Sequence, residues 1–292
     1  IRDSLPIFDM NAPLTPADHN RHIAGMTYVY PVMSRRAGGL SIGINFNPNN
    51  ACNWRCVYCQ VPDLQRGTAP DMDFAQLSAE LNFVLDYVLN GEFFDDYQVP
   101  VEQRQIKDLA ISGNGESTSL KRFDQAVALI GEIGQQWGLF PDCRFILISN
   151  GSLIHQSHVQ QGLKTLAKFN GEVWFKIDSA SAAGRELINH CSLSDRQLMT
   201  NLELASQLCT TRIQTCMLHF QNAWSSDEQQ AYLDLLARLK TQQIKIAEVL
   251  LYSVARQSFQ AEATEISSYS LAELETMAEA IRALGYSVKA TP

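Results

Sequence analysis

The chain reads as an α/β protein built on a parallel sheet, and three observations predict this. Apolar runs of strand length alternate with stretches of helical spacing from residue 40 onward. Six such strand–helix repeats follow one another with no interdomain linker or low-complexity tract between them. Hydrophobic residues make up 46% of the 292 residues and charged residues 18%, which is enough apolar material for a large core. Right-handed crossovers then close the repeats into either an open doubly wound sheet or a barrel.

The first strand is LSIGINF, residues 40–46. The helix after it, residues 74–89, places Leu77, Leu81, Val84, Leu85 and Val88 on one face. Strand 106–112 and helix 120–137 form the second repeat, and strand 144–149 and helix 155–169 the third. The fourth strand spans 172–178, and its helix, 194–208, starts at Ser194, a good N-cap. Strand 212–220 precedes helix 225–242, which carries acids in its first turn. Strand 245–253 is the sixth, and the last helix, 271–285, ends at Gly285. Residues 1–39 and 253–269 read as long, polar and irregular, as functional segments often do. Residues 90–105 join a helix to a strand, so they belong on the face opposite the chemistry.

Charge and composition narrow the function. The formal net charge of −8 argues against tight nonspecific binding to nucleic acid. No run of 18 apolar residues occurs, so no membrane span is expected, and the first residues lack a signal core. Seven cysteines, an odd count, point to a reducing cytoplasm. The chain does not begin with Met, so its numbering reads as starting inside a longer chain.

The chemistry concentrates after the first strand, in NNACNWRCVYCQ, residues 49–60. Cys52, Cys56 and Cys59 are spaced C-x3-C-x2-C, while Cys143, Cys191, Cys209 and Cys216 are scattered. Thiolates select zinc or iron–sulfur clusters. A structural zinc site wants a fourth ligand, which a distant His19 or His22 could supply. A cubane cluster held on three of its irons would instead leave the fourth open. In the fourth strand, alternation puts Trp174, Lys176 and Asp178 on one face and Val173, Phe175 and Ile177 on the other. Lys176 and Asp178 are then either a structural ion pair or functional groups.

CNWRCVYCQ, between a strand and a helix, resembles the signature of the radical S-adenosylmethionine enzymes. That resemblance implies a partial (β/α)6 TIM-like barrel over residues 40–252, with extensions at 1–39 and 253–292. It implies an oxygen-sensitive 4Fe–4S cluster on Cys52, Cys56 and Cys59, and S-adenosylmethionine on the open iron. One electron then gives a 5′-deoxyadenosyl radical that abstracts hydrogen from a substrate, with flavodoxin or ferredoxin as electron donor. By position, Tyr58 would pack near the adenine. Gly113, Asn114, Gly115 and Glu116 would meet the methionyl amino group, with Asn114 a departure from the Gly-Gly-Glu pattern. Ser149 and Asn150, and Asp178 or Ser179, would approach the ribose or methionine portion. The backbone of Leu251, Tyr252 and Ser253 would meet the adenine edge. Lys176 would reach the substrate and Arg256 would grip an anionic group on it.

The KID of the fourth strand and the LYSVAR after the sixth are similar to the wyosine-type tRNA synthase branch, in which a lysine is implicated in binding pyruvate. The second-cluster cysteines of archaeal members have no counterpart here, and the acidic charge disfavours tRNA. A small-molecule or cofactor-precursor substrate is therefore expected. The alternatives are a tRNA-modifying enzyme with a basic stripe of Arg35, Arg36, Arg66 and Arg256, an activase of a glycyl-radical protein, and a zinc-stabilised scaffold.

Overall fold

The computed structural model describes residues 25–34 and 38–292. Its strands are β1 (Val29–Ser34), β2 (Gly39–Ile44), β3 (Ala51–Cys52), β4 (Gln65–Arg66), β5 (Ile106–Ile111), β6 (Arg144–Ser149), β7 (Glu172–Lys176), β8 (Thr210–His219), β9 (Val249–Ser253), β10 (Ser267–Ser268) and β11 (Val288–Thr291). Its helices are α1 (Phe74–Leu89), α2 (Glu92–Asp96), α3 (Phe123–Gln136), α4 (Ser157–Lys168), α5 (Ala182–Asn189), α6 (Asp195–Leu208), α7 (Ser226–Thr241) and α8 (Leu271–Ala283).

The main sheet runs β1-β2-β5-β6-β7-β8-β9-β11. All neighbours are parallel except β1, which is antiparallel to β2. The sheet curls into a half-barrel with helices outside, the partial barrel that the cysteine motif implied. The predicted strands and helices recur within a few residues, and α1 has the predicted bounds. The Ser194 hydroxyl accepts from the Gln197 N–H and Gln197 reciprocates, a complete capping box. Gly285, at φ +81°, follows α8 in the left-handed region that favours glycine.

Both flanking segments contribute to the sheet, which corrects their reading as irregular. β1 is an edge strand, where Pro31 is tolerated. Its entry is held by Glu80 on α1, whose buried carboxylate accepts from the N–H groups of Thr27 (2.9 Å), Tyr28 (2.7 Å) and Val29 (3.1 Å). At the other edge β11 pairs with β9, and β10 pairs with β8. Residues 90–105 contain α2, which buries Phe93 and Phe94.

Apolar side chains fill the space between sheet and helices. The concave face is layered differently. Near the N-terminal strand ends, Arg212 lies 2.8 Å from Glu172 and also bonds Glu248, while Arg144 lies 3.8 Å from Glu172. Above them Ala110, Ile146 and Trp174 form a small apolar plate against which Ile148 and Leu250 pack. Polar groups return at the C-terminal strand ends, where a parallel α/β sheet places its sites.

Candidate active site

The cysteine loop is built by asparagines. The side chain of Asn45 accepts from the backbone N–H of Asn47 and of Asn114, each at 3.0 Å. Asn47 donates to the Ala51 carbonyl at 2.9 Å, and the Asn114 amide donates to the Asn50 side chain at 2.7 Å. Short polar side chains thus replace a ladder that the turning backbone cannot make. The glycines of the Gly113–Glu116 turn have a specific reason to be there. A Cβ on Gly113 would lie 2.3 Å from Asn45 Oδ1, and one on Gly115 would lie 1.9 Å from the Ala51 carbonyl. Gly113 thus makes room for Asn45, and Gly115 for the backbone of the cysteine loop at Ala51.

From the other side the loop docks on the C-terminal end of α5. The N–H groups of Arg55 and Val57 donate to the carbonyls of Asn189 (3.1 Å) and Ile188 (2.9 Å). The fully buried Asn189 side chain donates to Cys56 Sγ at 3.2 Å and to Asp178 at 2.7 Å. Residues 256–262 then pass over the loop as a strap. Ser258 Oγ donates to the Val57 carbonyl at 2.7 Å, the Phe259 N–H to the Cys59 carbonyl at 2.9 Å, and Arg55 pairs with Glu262 at 2.6 Å. Asn189, Ser258 and Glu262 are not legible as site residues in the sequence, because their partners lie far away along the chain.

The three cysteines are half-buried and in no disulfide. Burial pushes the Cys52 thiol up to about 12, and the nearby Glu116 and Cys59 add to the shift. Burial also raises the Cys56 thiol, while the Lys176 ammonium opposes it. Such thiols give up their protons only to a metal centre that compensates the charge. Among the described residues, no group of three or more His, Cys, Asp or Glu side chains closes on a single metal ion. His19 and His22 lie outside the described residues. Three soft donors on one cavity wall with no fourth among the described residues fit a cluster that spreads its ligands over several irons.

All three cysteines line a cavity of about 500 Å³ inside the half-barrel. It brings together most of the residues singled out from the sequence: Tyr58, the Gly113–Glu116 turn, Ser149, Asn150, Lys176, Leu251, Tyr252, Ser253 and Arg256. Their bonding is specific. Glu116 is buried, and its carboxylate accepts from Ser149 Oγ and from the Asn150 N–H, each at 2.7 Å, so it joins the ends of β5 and β6. The Asn150 side chain bonds Asn53 at 2.8 Å and Ser152 at 2.7 Å. Lys176 Nζ is 3.0 Å from the Tyr252 hydroxyl, 3.8 Å from Asp178 and 5.0 Å from the centre of the Tyr58 ring. Burial works against its charge, but Asp178 and Tyr252 hold its pKa above the usual lysine range.

Asp178 and Ser179 are placed differently from the sequence reading. Neither lines the cavity. β7 ends at Lys176, yet Asp178 still lies 3.8 Å from Lys176 Nζ, which is the structural ion pair among the alternatives the sequence allowed. Asp178 lies buried beneath the loop, accepting from Tyr58 Oη, the Asn189 amide and the Cys216 N–H. Ser179 donates to Glu228 at 2.7 Å. β8 and β11 flank β9 through Tyr252, and Leu251, Tyr252 and Ser253 line the cavity. Arg66 donates to the carbonyls of Asn53 and His190, while Arg256 lines the cavity. Arg35 and Arg36 lie outside the described residues.

No protein-family model matches the chain. It is 27% identical over 135 residues to a UPF0026 protein of Helicobacter pylori strain ATCC 700392 / 26695, and to that of strain J99. The match covers 46% of this chain and 38% of each of those proteins, so the chain spans well under half the length of the curated relatives it matches. Among solved structures it resembles HydG, a maturase of the FeFe-hydrogenase, with TM-score 0.54 and 12% identity over 82% of this chain and 48% of that one. It also resembles native anSMEcpe with bound AdoMet and Cp18Cys peptide, with TM-score 0.50 and 14% identity over 84% and 62%. The shared feature is the fold, a half-barrel of parallel strands with helices outside.

Proposed function

We propose that this chain is a radical S-adenosylmethionine enzyme. The observation that carries the reading is that Cys52, Cys56 and Cys59, none of them in a disulfide, line one cavity inside a half-barrel of that fold. When bound, a 4Fe–4S cluster supplies the electron that cleaves S-adenosylmethionine to a 5′-deoxyadenosyl radical. Cys52, Cys56 and Cys59 would hold the cluster. Asn189 would donate to the Cys56 sulfur, and the strap at Ser258–Glu262 would hold the loop rigid around it. Gly113–Glu116, Ser149 and Asn150 would form the wall against which S-adenosylmethionine lies. Lys176, Tyr252 and Arg256 line the same cavity and would face the substrate.

The substrate would be a small molecule or cofactor precursor, a reading supported by the net charge of −8 and the single cysteine triad. The likeness of Lys176 and the Arg256 region to wyosine-type tRNA synthases offers a second, narrower reading. An electron donor such as flavodoxin or ferredoxin would deliver the reducing electron, and a reducing cytoplasm would suit cysteines that form no disulfide. Among the described residues no helix is long and apolar enough to cross a membrane. Anaerobic reconstitution with iron and sulfide tests the reading, with about four irons per chain expected. Stoichiometric zinc with no uptake of iron and sulfide would return the triad to a structural role.

A further inference from the structure

Gln214 stands apart from the other polar residues of the cavity. It lies on β8, opposite Lys176 on β7 and Leu250 on β9. Its side chain lines the cavity and is 3% exposed. Ser112, Lys176 and Tyr252, which share that wall, each bond a neighbour, whereas no hydrogen bond reaches the Gln214 amide among the described residues. Neither amide atom of Gln214 is among the fully buried polar atoms that lack a partner, so the amide is open to the cavity, and an open donor and acceptor side by side on its wall are what a ligand can complete. Below it lies the plate of Ala110, Ile146 and Trp174, and the cysteine triad shares its cavity.

We propose that Gln214 reads the substrate, and that the group it reads is a neutral, planar amide edge carried on a flat apolar body. This deepens the radical-enzyme reading and rests on it for the identity of the cavity. A glutamine amide offers one carbonyl and one NH2 side by side, so its full complement is an N–H beside a carbonyl, as in a carboxamide, a lactam or a heterocyclic amide. A carboxylate would satisfy the NH2 and leave the Gln214 carbonyl without a donor. Charge argues the same way. The two cations on the strands at Gln214 face acids, Lys176 with Asp178 and Arg212 with Glu172 and Glu248, so the anion grip expected of Arg256 in the same cavity would serve another part of the substrate. An anion would enter beside cations that are already matched. The apolar plate, with Trp174 in it, suits a flat body.

The test uses the reconstituted protein with S-adenosylmethionine present, and two probes of one shape, benzamide and benzoate. Ligand-observed NMR titration is expected to show millimolar binding of benzamide and at least about tenfold weaker binding of benzoate. Gln214→Leu should abolish that preference, with iron content and thermal melting reporting whether the variant is loaded and folded. Gln214→Met keeps a similar length and removes both amide groups without adding charge, so it decides the matter if the leucine variant fails to fold, and it should also lose the preference. Equal or tighter binding of benzoate, no binding of benzamide, or a preference that survives both variants overturns the inference. A chain that takes up no iron instead overturns the radical-enzyme reading. The same titration on the cluster-free chain then judges Gln214 by itself.

Discussion

Gly115→Ala is the substitution whose consequence follows most directly from the structure. The added methyl would sit 1.9 Å from the Ala51 carbonyl oxygen and 2.8 Å from Asn47. A carbon and a carbonyl oxygen settle at about 3.3 Å or more, so the two strands of chain must part by about 1.4 Å. The obstacle is backbone and has no rotamer to escape into. The residue displaced adjoins Cys52, and metal–ligand distances tolerate only about 0.2 Å. We expect a loss of about 1–3 kcal/mol in stability, as for other overpacked sites, together with a sharp fall in iron bound on reconstitution. Gly38→Ala is the control. Gly38 has φ +70° and nothing within 4 Å of its Cβ position, so only the left-handed backbone resists alanine. That costs about 1–2 kcal/mol and should leave iron content unchanged. Urea unfolding and iron analysis read both variants. A Gly115→Ala chain with the wild-type complement of iron and stability within about 0.5 kcal/mol of wild type would refute this account of the cysteine loop.

Three further outcomes are expected. Removing the Cys56 hydrogen bond with Asn189→Ala should disfavour the reduced cluster; a tenfold change in the reduction equilibrium would lower the midpoint by about 59 mV, read by EPR redox titration. Glu80→Ala would leave the backbone donors of Thr27, Tyr28 and Val29 without their carboxylate, and should cost about 3 kcal/mol in urea unfolding. The hydrogen bond from Arg55 holds the Glu262 carboxyl down at about 2 from its ordinary 4.5. The depressed value means that the strap's stabilisation is present above pH 4.5 and is lost as pH falls toward about 2. Amide exchange at Phe259 and Gln260 should therefore rise with acid, relative to base-catalysed rates, in the wild type but not in Glu262→Gln.

The parts of the fold that were legible are those where one residue type repeats with one period. Leu77, Leu81, Val84 and Val88 announce α1, and Ser194 announces the start of α6. β1 was hidden because both of its faces are buried and Pro31 argues against a strand. β11 was hidden because it has only four residues, Val288–Thr291, with a mixed polar character. Within the site, the cysteine spacing named the chemistry, but the hydrogen-bond economy around it was invisible. Glu116 looked like a ligand-binding carboxylate, yet it bonds Ser149 and Asn150. Asp178 looked like a partner of the cavity because strand alternation was extended two residues past the end of β7. Asn189 gave no signal, since it reaches Cys56 across 133 positions.

The central claim is that three cysteines arm this half-barrel to cleave S-adenosylmethionine. The direct measurement is 5′-deoxyadenosine formed by the anaerobically reconstituted protein with S-adenosylmethionine and dithionite, compared with Cys56→Ala treated identically. The account predicts 5′-deoxyadenosine from the wild type and none above background from the variant. Equal product from both, or none from a wild type that carries its full complement of iron and sulfide, would contradict it.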